Sequence, residues 1–143
     1  MALLARNRAD EDSLIIIGAS SEMERAKKIL VVDDESGIRF LLSEVLLNKG
    51  FEVSLASDGQ ESLDKLEQDH FDLVVTDINM PRLDGVAMLK RMKRTGRDEK
   101  IIIMTGNPAD QRLLDKGLPH VESHLFKPFG IENFLNVVTA ATA

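Results

Sequence analysis

The sequence predicts an α/β protein built on a parallel five-stranded sheet with helices on both faces. Three observations carry that reading. Short apolar runs alternate with helical stripes five times between residues 28 and 138. Most of the strand-like runs are continuously apolar and β-branched, as strands covered on both faces are. A helix between consecutive strands returns the chain to the same edge, so the strands lie parallel.

The first strand is Lys28-Ile-Leu-Val-Val32. Ile38, Leu41, Leu42, Val45 and Leu46 then fall at i, i+3, i+4, i+7 and i+8, an amphipathic helix stripe that Gly50 stops. Phe51-Glu-Val-Ser-Leu55 alternates as a half-buried strand, and a weaker helix follows from Gly59 to Gln68 with Leu63 and Leu66 inward. Leu73-Val-Val-Thr76 is the third strand. Val86, Leu89 and Met92 mark the third helix, which Gly96 ends. Ile101-Ile-Ile-Met104 is the fourth strand. A short fourth helix is expected over Asp110 to Lys116, closed by Gly117 and Pro119. Leu125-Phe126 belongs to the fifth strand, and Ile131, Phe134, Leu135 and Val138 form the last helical stripe. Residues 1–27 stay outside this alternation and read as an N-terminal extension, partly ordered or a linker, ahead of one domain at 28–143. Its apolar run Leu14-Ile-Ile-Ile17 is an extra strand or docking segment in the alternative reading.

Composition narrows the class of function. The chain has 143 residues, a formal charge of −6 and no Cys, Trp or Tyr. Disulfide scaffolds, thiolate metal sites and cysteine nucleophiles are excluded. The acidic balance and the lack of Trp and Tyr argue against nucleic-acid binding. The Leu14–Ile17 run is far short of a membrane span, and Asp10, Glu11 and Asp12 stand where a signal peptide needs apolar residues. The expectation is a cytoplasmic protein with no membrane partner. The charge is uneven: residues 1–28 sum to zero, and residues 90–100 carry a local +4. That basic cluster reads as cations complementing a helix C-terminus, with an acidic partner as the alternative. His70 and His120 read as loop residues, and no His pair has helical ligand spacing.

In an open α/β sheet, ligands bind at the carboxyl ends of the strands. Strand one ends in Asp33-Asp34, strand three in Asp77, strand four in Thr105 and strand five in Lys127. Singly, each could cap a turn or face solvent. Together they bring three carboxylates, a hydroxyl and an ammonium to one edge. Converging carboxylates repel, and a hard divalent cation such as Mg²⁺ relieves that repulsion. A cation, an ammonium and a hydroxyl beside a carboxylate suit phosphoryl transfer, in which the carboxylate attacks phosphorus in line. Asp77, the single acid on the central strand, is the expected nucleophile, with Asp33 and Asp34 on the metal side.

Val31-Val-Asp-Asp-Glu35, Asp77-Ile-Asn-Met-Pro-Arg-Leu-Asp-Gly85, Met104-Thr105-Gly106 and Lys127-Pro-Phe129 resemble, in order and spacing, the motifs of bacterial response-regulator receiver domains across residues 28–138. The resemblance implies a flavodoxin-like, doubly wound (βα)5 fold of strand order 2-1-3-4-5. It implies Asp77 as phosphoacceptor, and Mg²⁺ (or Mn²⁺) on Asp34, Asp77 and the Asn79 carbonyl, with Asp33 acting through water. Thr105 and Lys127 would bind phosphoryl oxygens, and the Lys127-Pro128 bond would be cis. Gly85 is expected to supply a turn conformation. Two positions depart from the family pattern: Gly106 replaces the usual Ala, and His124 stands where a switch Tyr or Phe is common.

The implied function is a phosphorylation-controlled signalling module. It takes its phosphoryl group from a histidine kinase or histidine phosphotransfer protein. Phosphorylation then alters the Thr105 loop and the face made by the fourth helix, fifth strand and last helix, changing the binding of a downstream protein. No separate turnover substrate is expected, and the state is monomer or weak homodimer. The chain ends directly after the last helix, so a stand-alone receiver is expected, with a piece of a hybrid kinase or larger regulator as the variant. The alternative is a haloacid-dehalogenase-type phosphatase using Asp77 as nucleophile. It is disfavoured because Asn79 replaces the acid needed two residues on, and because the acid pair comes first in the chain rather than last. A flavodoxin-like cofactor binder is disfavoured because Asp33-Asp34-Glu35 would repel a phosphate.

Overall fold

The five apolar runs form one parallel sheet in the order β2-β1-β3-β4-β5. The computed structural model describes residues 25–143. The expected extension, with its Leu14–Ile17 run, falls outside the described residues except for 25–27. The elements are β1 (Lys28–Val32), α1 (Ser36–Asn48), β2 (Glu52–Ala56), α2 (Gly59–Gln68), β3 (Leu73–Asp77), α3 (Gly85–Arg94), β4 (Lys100–Thr105), a 3-10 turn (Gln111–Leu114), β5 (Ser123–Phe126) and α4 (Ile131–Thr142).

Alternate residues of each strand point to opposite faces, and both faces are covered. On one side Ile29, Val31 and Val75 meet Leu42 and Leu46 of α1 and Phe134 and Val138 of α4. On the other, Leu30, Val32 and Val74 meet Leu66 of α2 and Met88, Leu89 and Met92 of α3. The central strand β3 is buried along its whole length. At about 25 cal/mol per Å² of apolar surface removed from water, this double layer is the dominant stabilising contribution.

Two helices start on aspartate caps that fix where the neighbouring loops enter. Asp58 accepts the Glu61 N–H at 2.8 Å at the start of α2. Asp84 accepts the Ala87 N–H at 2.8 Å at the start of α3.

The fourth helix expected over 110–116 is a 3-10 turn confined to Gln111–Leu114. The Asp110 carboxylate accepts the Arg112 N–H, and the Asp115 carboxylate accepts the Gly117 N–H, so one turn is bracketed by two side-chain turns. So short a segment cannot sustain an α-helix without packing, and Leu114 remains 80% exposed.

The basic cluster at 90–100 serves several local purposes besides facing the α3 C-terminus. Lys90 pairs with Asp115. The Lys93 ammonium donates to the Lys116 and Leu118 carbonyls at 3.2 Å each. Arg97 pairs with the buried Glu99 and donates to the Leu66 carbonyl in the last turn of α2 and to the Asp69 carbonyl just after it.

Candidate functional site

The strand order creates the site. The chain leaves β1 toward β2 on one side and returns to β3 on the other, so the order reverses between β1 and β3. Crevices open at such points at the carboxyl edge. Val32 is in register with Thr76, and the next residues, Asp33 and Asp77, therefore emerge side by side. Asp77 is in register with Met104, which brings Thr105 to the same edge. Thr105 is in register with Phe126, and Lys127 continues from there with its N–H on the Thr105 carbonyl at 2.8 Å.

Lys127 reaches back across the edge of β4. Its ammonium donates to Asp33 Oδ2 at 2.8 Å and to Asp77 Oδ2 at 3.1 Å, and lies 4.0 Å from Glu35 Oε1. The Lys127–Pro128 peptide is cis. The second oxygens of the two acids are held by the backbone: Asp33 Oδ1 accepts the Glu35 N–H at 2.9 Å, and Asp77 Oδ1 accepts the Ile78 N–H at 2.7 Å. Asp34 is exposed, yet Asp33, Asp34 and Asp77 each offer an oxygen within 4.8 Å of the others.

Electrostatics distinguish these groups. Burial pushes the Asp77 carboxyl above the usual carboxylate range, and the Asp33 charge adds to the rise against the opposing pull of Lys127. For Lys127, burial works to lower the pKa, but the hydrogen bonds and charges of Asp33 and Asp77 outweigh it and hold the ammonium above the ordinary lysine value. Three carboxylates face one ammonium, and the donor set is entirely hard oxygen. That arrangement fits Mg²⁺, which takes oxygen ligands and few carboxylates.

Three expected site residues lie less directly on the pocket. Thr105 is buried, and its hydroxyl accepts the Asn107 N–H at 3.1 Å. Asn79 is exposed, its side chain held by Arg112. His124 faces solvent on β5, stacked on Phe126 with centroids 6.4 Å apart.

The expectation for Gly85 is corrected. Its φ is not in the left-handed region, and it opens α3. Space demands glycine here: an added Cβ would stand 2.2 Å from the Asp77 carbonyl oxygen. Gly59 plays a similar part, since its Cβ would stand 2.4 Å from the Leu83 carbonyl oxygen. The loop between β3 and α3 is thus clamped between two helix starts. Arg82, in that loop, adopts φ 65° and donates through Nε to Asp58 at 2.7 Å. Sequence reasoning missed Arg112 entirely. Its segment carries no strand-end signal, and although Asp110 is two residues away, its partners Asn79 and Asp84 are far from it along the chain.

Among the described residues no helix is long and apolar enough to cross a membrane.

The model of the response regulator receiver domain matches residues 29–139. Over 111 residues the chain is 40% identical to the response regulator MprA of Mycolicibacterium vanbaalenii, covering 76% of this chain and 47% of that protein. The chain therefore spans about half the length of that relative. Over 112 residues it is 36% identical to the sporulation initiation phosphotransferase F of Bacillus subtilis, covering 78% of this chain and 90% of that protein. Among solved structures, it resembles the response regulator TrrA of Thermotoga maritima in complex with Mg(2+)-BeF. The TM-score is 0.70 at 32% identity, over 80% of this chain and 98% of that one.

Proposed function

The chain belongs to the response regulator receiver domain family, and we propose that it accepts a phosphoryl group on Asp77 from a histidine kinase or histidine phosphotransfer protein. Membership in that family makes it a two-component signalling module and sets aside the phosphatase and cofactor-binder readings. The observation that carries the proposal is the position of Asp77. Its carboxylate ends the central strand, bonds the Lys127 ammonium at 3.1 Å and stands beside two further acids.

In the transfer, an Asp77 carboxylate oxygen attacks phosphorus. The bond from phosphorus to the donor's imidazole nitrogen breaks, its electron pair stays on that nitrogen, and the nitrogen takes up a proton. Burial keeps Asp77 poorly solvated, which favours attack over hydration. Lys127 already contacts both Asp33 and Asp77, and can follow charge onto a phosphoryl oxygen without crossing the pocket. Thr105, one level above on β4, offers its hydroxyl to a second oxygen on leaving the Asn107 backbone. Mg²⁺ on Asp34, Asp77 and the Asn79 carbonyl, with Asp33 acting through water, would supply further positive charge for the phosphoryl oxygens.

The phosphoryl group adds about −1.5 to −2 of charge. The movement of Thr105 opens room behind it for His124, the proposed switch residue, to turn inward. The output face is then the 3-10 turn, β5 and α4, where Leu114 and Phe126 are exposed at 80% and 47%. A downstream protein binds there, or a second copy in a weak dimer. The setting is cytoplasmic, and the only turnover is of the protein's own aspartyl phosphate.

The test is incubation with acetyl phosphate and Mg²⁺ followed by intact mass. One Mg²⁺-dependent phosphate adduct, absent in Asp77→Asn, is the expected result. No adduct, or an adduct that persists in Asp77→Asn, refutes the assignment of Asp77.

A further inference from the structure

β2 stands at one end of the sheet, and β1 is its only strand neighbour among the described residues. Two bonds fix which of its backbone groups face outward. The Glu52 N–H donates to the Lys27 carbonyl at 2.9 Å, and the Ala56 carbonyl accepts the Asp33 N–H at 3.1 Å. Glu52, Ser54 and Ala56 therefore turn their N–H and C=O toward β1. Successive residues of a strand direct these groups to opposite sides, so Val53 and Leu55 turn theirs to the open side. Among the described residues these groups have no hydrogen-bond partner.

An edge of this kind invites pairing by another chain, and proteins blunt it with Lys, Pro or a bulge. β2 has none of these: its sequence is Glu-Val-Ser-Leu-Ala, and its ladder with β1 runs without a break from Glu52 to Ala56. Val53 and Leu55 are only partly buried, in the same apolar layer as Val45 and Phe51. On the opposite face Ser54, Lys65 and Gln68 line a depression of about 220 Å³, where the lysine stem offers apolar cover.

The chain carries a segment suited to that place. Leu14-Ile-Ile-Ile17 is continuously apolar and mostly β-branched, the composition of a strand covered on both faces. The chain enters β1 at Lys28, and the Lys27 carbonyl is already bonded at the foot of β2. The open side of β2 lies two strand spacings from β1, about 10 Å. Residues 18–27 cover that distance whatever their path, since even a helical rise gives about 1.5 Å per residue. They favour the antiparallel direction, because a parallel return takes roughly a dozen residues or more. Tethered this way, the segment meets the edge at an effective concentration on the order of millimolar. The other open edge, β5, lies beyond β3 and β4 on the far side of β1.

We propose that residues 14–17 pair with β2 as a sixth, antiparallel strand, closing this edge of the sheet against other chains.

The experiment is amide hydrogen exchange, followed by NMR on the full isotope-labelled chain at high and at low protein concentration. Wild type is compared with the double variant Ile15→Pro, Ile16→Pro. Adjacent prolines remove two successive donors, so one of them faces β2 in either register. Amides of β1 and β3, each paired on both sides, are the internal standard for folding. The expected result is that the Val53 and Leu55 amides exchange about tenfold more slowly in wild type than in the variant, the weight of roughly one hydrogen bond. That protection is the same at both concentrations, and the standard amides do not change. Unprotected Val53 and Leu55 in wild type overturn the proposal. Protection that survives the two prolines overturns it as well, because something else then covers the edge. Protection seen only at high concentration assigns the edge to a second copy of the chain and overturns it too.

Discussion

Replacing Gly85 by alanine should cost both stability and phosphorylation. A Cβ at this position would stand 2.2 Å from the Asp77 carbonyl oxygen, 3.0 Å from the Ile78 Cα and 3.1 Å from the Asp77 carbonyl carbon. All three are backbone atoms, so no side-chain rotation relieves the clash. Non-bonded heavy atoms settle at roughly 3.5 Å, so the end of β3 and the start of α3 must part by about 1 Å. The Gly85 N–H bond to the Ile78 carbonyl, at 2.8 Å, lies in the path of that movement. Overpacking a close-fitted site costs about 1–3 kcal/mol, and rigid neighbours place this case near 3. A domain of this size then melts roughly 10 °C lower. The displaced atoms include Asp77 itself, and a misplacement of about 1 Å at a reacting group can slow reaction by about 100-fold. The assay is a thermal melt beside the rate of adduct formation with acetyl phosphate. Gly37→Ala is the control of opposite sign. Gly37 lies in α1 with nothing within 4 Å of the added Cβ, so alanine should stabilise by about 0.5–1 kcal/mol. Gly85→Ala with wild-type melting and phosphorylation would refute the reading that close approach, rather than turn conformation, selects glycine here.

Three further outcomes follow from named contacts. Burial and Asp33 raise the Asp77 carboxyl in the folded state, so ionised Asp77 lowers stability as pH rises from about 3.9 through the folded value. Asp77→Asn should therefore melt a few degrees higher than wild type at pH 7 in metal-free buffer, with the gap closing in acid; a lower melting point contradicts the sign. Asp58 behaves oppositely: burial works to raise it, but the Glu61 N–H and Arg82 hold it below the usual range. Its contribution is present above the unfolded value of about 3.9 and lost as pH falls through the folded one. Urea unfolding should show Asp58→Asn weaker by about 1–2 kcal/mol at pH 7, with a smaller deficit near pH 3; an unchanged deficit would exclude the charge as its cause. Finally, the Glu99 side chain is fully buried against Arg97 at the amino edge of the sheet. Breaking such a pair costs about 3 kcal/mol or more, so Glu99→Gln should melt lower while the folded protein accepts phosphate at the wild-type rate; slowed phosphorylation would mean the two edges are coupled.

Much of the fold was legible in the chain because its signals are local. Lys28–Val32 and Leu73–Thr76 are apolar and β-branched whatever surrounds them, and the stripe from Ile38 to Leu46 needs only the 3.6-residue period. The candidate site was legible for a related reason: Asp33, Asp34, Asp77, Thr105 and Lys127 each sit at or directly after a strand, so finding the strands also located them. The fourth helix was expected because Gly117 and Pro119 read as helix stops after Asp110–Lys116, whereas the Asp110 and Asp115 side chains close turns around a single 3-10 turn.

By itself, then, the sequence determined which residues carry charge to one edge of a parallel sheet, through periodicities that act within a few residues. The tertiary structure decided what those residues touch. The reversal of strand order placed Asp33 beside Asp77, and the length of Lys127 let one ammonium bridge both. Gly85 is required by a carbonyl eight positions earlier, and Arg112 is joined to Asn79 across 33 positions of chain. Contacts of that separation depend on how the layers close on one another, and no local pattern encodes them.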